Sequence, residues 1–322
     1  MSGPLILAIP SKGRLKEQVE AWLADAGLPL AATPGGRGYT AAVPALPRVE
    51  VRLLSAADIA AALDAGDIHL GVTGEDLLRE QIADLETRVM LLRPLGFGRA
   101  DLVVAAPRGW LDVDTMADLE EVAHLHLLRT GRRLRVATKY VVQTRAFFAR
   151  CGVADYRIVE SGGATEGAPA SGAAEIIVDI TTTGATLAAN HLKVIGDGTI
   201  LKSQAQLAAS LAADWDGERL ELVRRLLGLV EARARARDSV MLVWPAESDA
   251  DARAALAELA GRGARPRANG LLIAEADLVG AQARLAAAGV GPVAATRPEH
   301  LFEPPSPAAE ALAERIDGRV KK

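Results

Sequence analysis

The sequence predicts an α/β protein with a largely parallel sheet, followed by a smaller module of ferredoxin-like βαββαβ order. Three observations carry this. Short apolar runs alternate with segments whose apolar residues recur at helical spacing. The 322 residues exceed one typical domain and allow two or three. After Asp216 the rhythm shifts to one long helical stripe and then to a compact strand–helix pattern.

Leu5 to Ile9 is an apolar run ended by Pro10, the pattern of a buried strand. After the turn Ser11-Lys12-Gly13-Arg14, Leu15, Val19, Trp22 and Leu23 recur at helical spacing, and Gly27 closes that helix. Val49 to Leu54 reads as a strand, Ala56 to Leu63 as a helix, and Ile68 to Val72 as a strand entering Thr73-Gly74-Glu75-Asp76. Asp101 to Ala106 and Leu134 to Ala137 are strands, Thr144 to Cys151 is a helix ended by Gly152, and Tyr156 to Val159 and Glu175 to Ile180 are strands. His124 to Arg133 reads as an extended or loop insertion.

From Asp216 to Arg237, Leu220, Val223, Leu227 and Val230 form one stripe. Arg233, Arg235 and Arg237 fall near its end, where cations suit the helix dipole, and read as a solvated helix end rather than an anion site. Then come strand Ser239 to Trp244, helix Ala250 to Leu259, strand Gly270 to Ala274, helix Leu278 to Ala288 and strand Gly291 to Ala295. The missing strand of the βαββαβ order falls around Arg265 to Ala268, where Pro266 makes a poor one. The tail after Glu303 reads as frayed.

Half the residues are apolar but only 3% are aromatic, so the core is aliphatic and base stacking on aromatic platforms is not a binding strategy here. A net charge of −4 argues against a nucleic-acid or anionic-membrane binder. One cysteine, Cys151, excludes a disulfide framework and any multi-cysteine metal site. The start of the chain has no basic segment before its apolar run, and no window reads as a membrane span; the expected location is the cytoplasm.

The segment richest in chemistry is Glu175-Ile-Ile-Val-Asp-Ile-Thr-Thr-Thr-Gly-Ala-Thr-Leu187. A strand delivers Asp179 to its carboxyl end, and a hydroxyl-rich turn leads into a helix. Phosphate binding needs several unobstructed donors, which Gly184, Ala185 and the threonines supply. A Thr-rich turn with a helix cap is the plainer reading. The loop lacks the Gly-Lys-[Ser/Thr] ending of a Walker A motif.

A strand, an acid and Thr-x-Gly-x-Thr resemble the 5-phosphoribosyl-1-pyrophosphate (PRPP) signature of phosphoribosyltransferases. With Ser161-Gly-Gly-Ala-Thr-Glu-Gly-Ala-Pro169, the region is similar to that of the ATP phosphoribosyltransferase family. Ala8-Ile-Pro-Ser-Lys-Gly-Arg-Leu15, Gly71-Val-Thr-Gly-Glu-Asp76, Leu95-Gly-Phe-Gly-Arg99, and Ala137-Thr-Lys-Tyr140 with Thr144-Arg145 resemble its other motifs, in order, over residues 4 to 210.

The resemblance implies condensation of ATP with PRPP at N1 of adenine, with Mg²⁺, in the first step of histidine biosynthesis. It implies a two-lobed core like that of periplasmic binding proteins: residues 1–98 and 190–215 in lobe I, 99–189 in lobe II. Residues 216–322 would be a linker helix and a ferredoxin-like module of the long form of the family, which binds histidine as feedback inhibitor. A homo-oligomer, dimer or hexamer, is implied too. In PRPP binding, Thr182 to Thr186 (Thr182, Thr183, Gly184, Ala185, Thr186) would hold the 5-phosphate, with Thr181 at the loop's start. Asp179 and Glu166 would take the ribose hydroxyls and offset its developing positive charge. Lys12, Gly13 and Arg14 would hold pyrophosphate or ATP phosphates, with Lys12 and Arg14 counted as catalytic. Gly71 and Arg99 would contact the nucleotide, and Thr73, Glu75 and Asp76 the nucleotide or Mg²⁺; a helix cap accounts for Thr73 equally well. Lys139 and Arg145 are weaker candidates. No metal ligands are assigned.

Adenine N1 is already a lone-pair nucleophile, so no strong base is required, and His69, His124, His126, His191 and His300 match no triad spacing. His124-x-His126 on one strand face would give two metal ligands without a third. Three rival readings remain: a two-lobed solute receptor, the ligand-sensing half of a regulator, and a phosphoribosyltransferase using another base. The absent leader opposes the first, and the absence of a helix-turn-helix opposes the second.

Overall fold

The computed structural model describes residues 3–32 and 39–320, which form three sheets. The first is built from β1 (Leu5–Pro10), β2 (Ala31–Ala32), β3 (Thr40–Ala42), β4 (Val49–Leu54), β5 (Leu70–Gly74) and β6 (Val89–Pro94), with α1 (Gly13–Asp25), α2 (Ala56–Ala65), α3 (Glu75–Gln81) and α4 (Leu85–Arg88) between them. β1 lies between β4 and β5 and pairs with both in parallel. Alternation along β1 sends Leu5, Leu7 and Ile9 to one core, with Val19 and Leu23 of α1, and Ala8 to the other, with Ile59 and Leu63 of α2.

The chain leaves through residues 95–99 and forms β7 (Ala100–Pro107), α5 (Met116–Thr130), β8 (Leu134–Thr138), α6 (Val141–Arg150), β9 (Tyr156–Glu160), β10 (Ile176–Thr181) and α7 (Ala185–Ala189). β11 (Leu192–Ser203) closes this second sheet in the order β11-β7-β10-β8-β9. After Gln204, β12 (Ala205–Ser210) returns to the first sheet, antiparallel to both β5 and β6. The two lobes are thus linked by two chain crossings.

α8 (Gly217–Arg237) then runs along the first lobe with Val223 and Leu227 in its core. The third sheet holds β13 (Ser239–Val243), β14 (Arg265–Arg267), β15 (Gly270–Ala274) and β16 (Ala294–Thr296), with α9 (Asp249–Ala255), α10 (Ala257–Ala260) and α11 (Leu278–Ala287) packed on it. Its antiparallel order β14-β15-β13-β16 is that of a ferredoxin-like module. The strand containing Pro266 exists as a short edge strand, where proline is tolerated. The expected fold, a two-lobed α/β core with this module, is what the chain forms.

Three expectations fail. His124 to Arg133 is not an insertion: it is largely the second half of α5, begun by a capping box between Thr115 and Asp118. His124 and His126 therefore sit two apart on a helix and share no face. The tail is not frayed: α12 (Pro307–Val320) buries Ala309, Leu312 and Ile316 in the first lobe's core. The α8 arginines are not merely solvated. Arg233 and Arg237 both pair with Asp25 at 2.8 Å, holding its carboxyl down at about 2, and Arg235 donates to the Leu301 carbonyl at 2.9 Å.

Candidate active site

β10 lies between β7 and β8, so the position of its carboxyl end is fixed by pairing on both sides. That end presents Asp179, Ile180 and Thr181 to a cavity of about 220 Å³, which Thr182, Thr183, Ala185, Thr186 and Leu187 also line. Glu166 faces it from a single 3₁₀ turn at 165–167. The turn is held by buried Thr165, whose hydroxyl donates to Ser161 Oγ at 3.0 Å.

Burial raises the Asp179 carboxyl above its ordinary range, and Glu166 adds to the rise. The Ile180 N–H donated to Asp179 Oδ1 at 2.8 Å and the charge of Lys139 both act against it. A buried carboxyl with a second acid and the Lys139 cation close by suits a ligand that brings hydroxyls and positive character.

The loop is folded on itself. The Gly184 N–H donates to Thr181 Oγ1 at 2.9 Å and the Ala185 N–H to Thr183 Oγ1 at 3.3 Å. Gly184 has a φ of 74°, the left-handed region that glycine adopts without strain. Because α7 has only 5 residues, hydroxyls and loop N–H groups, rather than a helix dipole, are what this turn offers an anion.

Thr182 joins this cavity to a second of about 460 Å³, lined by Arg14, Leu15 and Gln18 of α1, by Gly96, Phe97 and Gly98, and by Arg99. The Thr182 hydroxyl donates to the Arg99 carbonyl at 3.1 Å. Residues from both lobes and from the outward crossing therefore face one space. Gln18 and Phe97 had no assigned role in the sequence, although Gln18 lies one turn beyond Arg14 on the same helix face. Lys12 and Gly13 are exposed at the start of α1; Gly13 has a φ of 76° and nothing within 4 Å of the place a Cβ would take.

The Gly71–Asp76 segment is placed differently. A Cβ on Gly71 would stand 2.7 Å from Ile59, so this glycine lets α2 pack on β5. Thr73 is buried and donates to the Ala56 carbonyl at 2.9 Å, while Gly74, not Thr73, is the N-cap of α3. Glu75 accepts from Arg79 at 2.8 Å and from Gln206 at 2.9 Å. Asp76 is buried and accepts from the Tyr140 hydroxyl at 2.7 Å and from Ser203 Oγ at 2.9 Å. Burial, then the charge of Asp76, pushes the Tyr140 phenol up, so it stays protonated and donating. Glu80 accepts from the Val142 and Gln143 N–H groups at 2.8 and 3.1 Å, and Gln143 donates to the Asp76 carbonyl at 2.9 Å. α3 of one lobe is thereby riveted to the start of α6 in the other. Sequence reading missed this joint.

Among the described residues no group of three or more acidic, histidine or cysteine side chains could hold a metal ion, and no helix is long and apolar enough to cross a membrane.

A family model for ATP phosphoribosyltransferase matches residues 55–229. A protein of Caulobacter vibrioides (strain NA1000 / CB15N) named ATP phosphoribosyltransferase is 67% identical over 320 residues, covering 99% of this chain and 100% of its own. One of the same name from Afipia carboxidovorans is 58% identical over 236 residues, 73% of each chain. A chain of the ATP phosphoribosyl transferase (HisG:HisZ) complex from Thermotoga maritima superposes with a TM-score of 0.54 at 25% identity, over 70% of this chain and 96% of that one.

Proposed function

The chain belongs to the ATP phosphoribosyltransferase family, whose reaction joins ATP to PRPP in histidine biosynthesis, and we propose that it carries out this reaction in the cleft around Thr182. The observation that carries the placement is that Glu166, Asp179 and the Thr181–Thr186 loop line one cavity, adjoining a second that Arg14 and Arg99 line.

The adenine N1 lone pair forms the new bond to C1 of the ribose. The bond from C1 to pyrophosphate breaks, and the leaving group takes that electron pair. The threonine loop seats the 5-phosphate, exchanging its internal N–H to hydroxyl bonds for bonds to phosphate oxygens. Asp179 and Glu166 take the ribose hydroxyls and oppose the positive charge that grows on the ring. Arg14 and Arg99, with Lys12 and the open Gly13 turn beside them, take the departing pyrophosphate or the ATP phosphates. Holding both substrates across two lobes supplies much of the acceleration.

Two carboxylates and no third ligand fit Mg²⁺ that arrives on substrate phosphates, since this ion takes few protein ligands and keeps its waters. It would neutralise phosphate charge on the leaving group. Asp76 serves this site through the joint it builds with Glu80, which keeps the lobes in register, while Glu75 is held within the first lobe by Arg79 and Gln206. Lobe I takes residues 1–98 and, of 190–215, the part that holds β12; lobe II takes 99–189 together with β11, which pairs with β7; the C-terminal module is the place for histidine. The protein works in the cytoplasm as a homo-oligomer.

Purified protein mixed with ATP, PRPP and Mg²⁺ should release pyrophosphate in step with product absorbance. Turnover with another base but not ATP would overturn the acceptor. Asp179→Asn with Thr183→Val should abolish PRPP binding; retained affinity would show that the site lies elsewhere. Calorimetry without histidine binding, alongside activity unchanged by histidine, would remove the regulatory role.

A further inference from the structure

At the amino ends of β8 and β9, the edge of the second sheet opposite to Asp179 and the threonine loop, lies a cavity of about 720 Å³. Arg132, Arg133, Arg135 and Arg157 line it with His126 and a single acid, Glu175. The register explains the crowding. Arg135 and Arg157 are partners on adjacent parallel strands, and Glu175, just before β10, lies beside Arg135. Glu175 is committed to Arg135, pairing with its guanidinium at 2.5 Å and accepting its backbone N–H at 2.6 Å. Asp155, just before β9, is engaged by His124 at 3.0 Å.

Among the described residues the guanidinium groups of Arg132, Arg133 and Arg157 have no carboxylate partner. Four guanidinium groups against one carboxylate leave three positive charges uncompensated, in a chain whose net charge is −4. Like charges on neighbouring strand positions are destabilising unless something neutralises them. At the end of α5, two of the carbonyls nearest the cavity are already engaged. Thr130 Oγ1 donates to the His126 carbonyl at 2.7 Å and the Gly131 N–H to that of Leu127 at 2.8 Å.

We propose that this cavity binds an oligophosphate anion, of the pyrophosphate or tripolyphosphate type, separately from the substrate cleft. Guanidinium forks match phosphate oxygens two at a time. The volume is that of a small-molecule site rather than a peptide groove. No aromatic ring other than His126 lines it, so a nucleobase gains no stacking there and the phosphates themselves are what is recognised.

The test is a titration of tripolyphosphate into the full chain and into the double variant Arg133→Gln/Arg157→Gln, which spares the Arg135–Glu175 pair. The wild type should show one more binding event than the variant, or the same event at about tenfold higher affinity or more. Citrate, similar in charge, should bind more weakly. Equal binding by both proteins, or citrate binding as tightly as tripolyphosphate, overturns the proposal. A matched melting temperature establishes that the variant is folded. KM for PRPP should stay within about twofold, the margin left by removing charge far from the cleft; a large rise would place these arginines in the substrate site and overturn the separation. Because the titration needs no turnover, its outcome is independent of the reaction assigned to the cleft.

Discussion

Burial raises the Asp179 carboxyl, and Glu166 beside it raises it further, so the ionised form weakens the folded state until a ligand or cation arrives. The sign follows. The unfolded chain loses this proton near 3.8 and the folded chain at higher pH, so stability falls as pH climbs through that interval. Asp179→Asn should therefore raise the melting temperature while lowering turnover by about 10²-fold or more. A lower melting temperature in the variant would show that the carboxylate is structurally required. His69 works in the other direction. Its Nδ1 accepts the Ile6 N–H at 3.1 Å, its Nε2–H donates to the Asp214 carbonyl at 3.0 Å, and burial lowers its pKa from 6.5. The unfolded chain then takes up the proton first, and stability is lost as pH falls below 6.5. Urea titrations across that range should show the slope in the wild type and lose it in His69→Gln. The threonine loop was readable because its residues are consecutive. The bonds of Asp76 were not, since Tyr140 and Ser203 lie 64 and 127 residues away.

Among the elements, the α3–α6 contact makes the clearest demand on chemistry. Tyr140→Phe keeps the ring but leaves a buried carboxylate one donor short, an effect of about 1–3 kcal/mol in denaturant unfolding. Glu80→Ala removes the acceptor that one lobe lends to the first turn of a helix in the other, worth about 1 kcal/mol as helix caps go. If the joint holds the lobes in register, both variants raise KM for the two substrates as well as weakening the fold; unchanged KM values would confine the joint to stability. Elements with a clean period were legible, such as β1, α1 and α8. The second half of α5 was not, because Leu125 and Leu128 face outward and break the stripe that Leu119 and Ala123 continue inward. α12 hid behind a proline-rich approach, and only tertiary packing shows that Leu312 and Ile316 have a core to enter.

For the whole molecule, that last helix changes what holds the first lobe together. Leu312 is fully buried there, so Leu312→Ala should cost about 2–5 kcal/mol although it lies near the end of the chain. Thermal unfolding of this variant should shift the transition of the catalytic lobes, not merely that of the third sheet. A chain ended at Phe302 should lose the first lobe's stability as well, and an unchanged transition would show that α12 is dispensable.

The third sheet leaves the first lobe by α8 and its chain re-enters that lobe by α12, which pack on each other and are tied by Arg224 and Glu310 at 2.7 Å. The module is thus a bulge spliced into the lobe and not an appendage hung from it. Protease cleavage between residues 297 and 306 would leave two fragments that co-elute under native conditions. A displacement of the module would also be felt as paired tension on α8 and α12, at the face of the first sheet that carries α1 and Arg14.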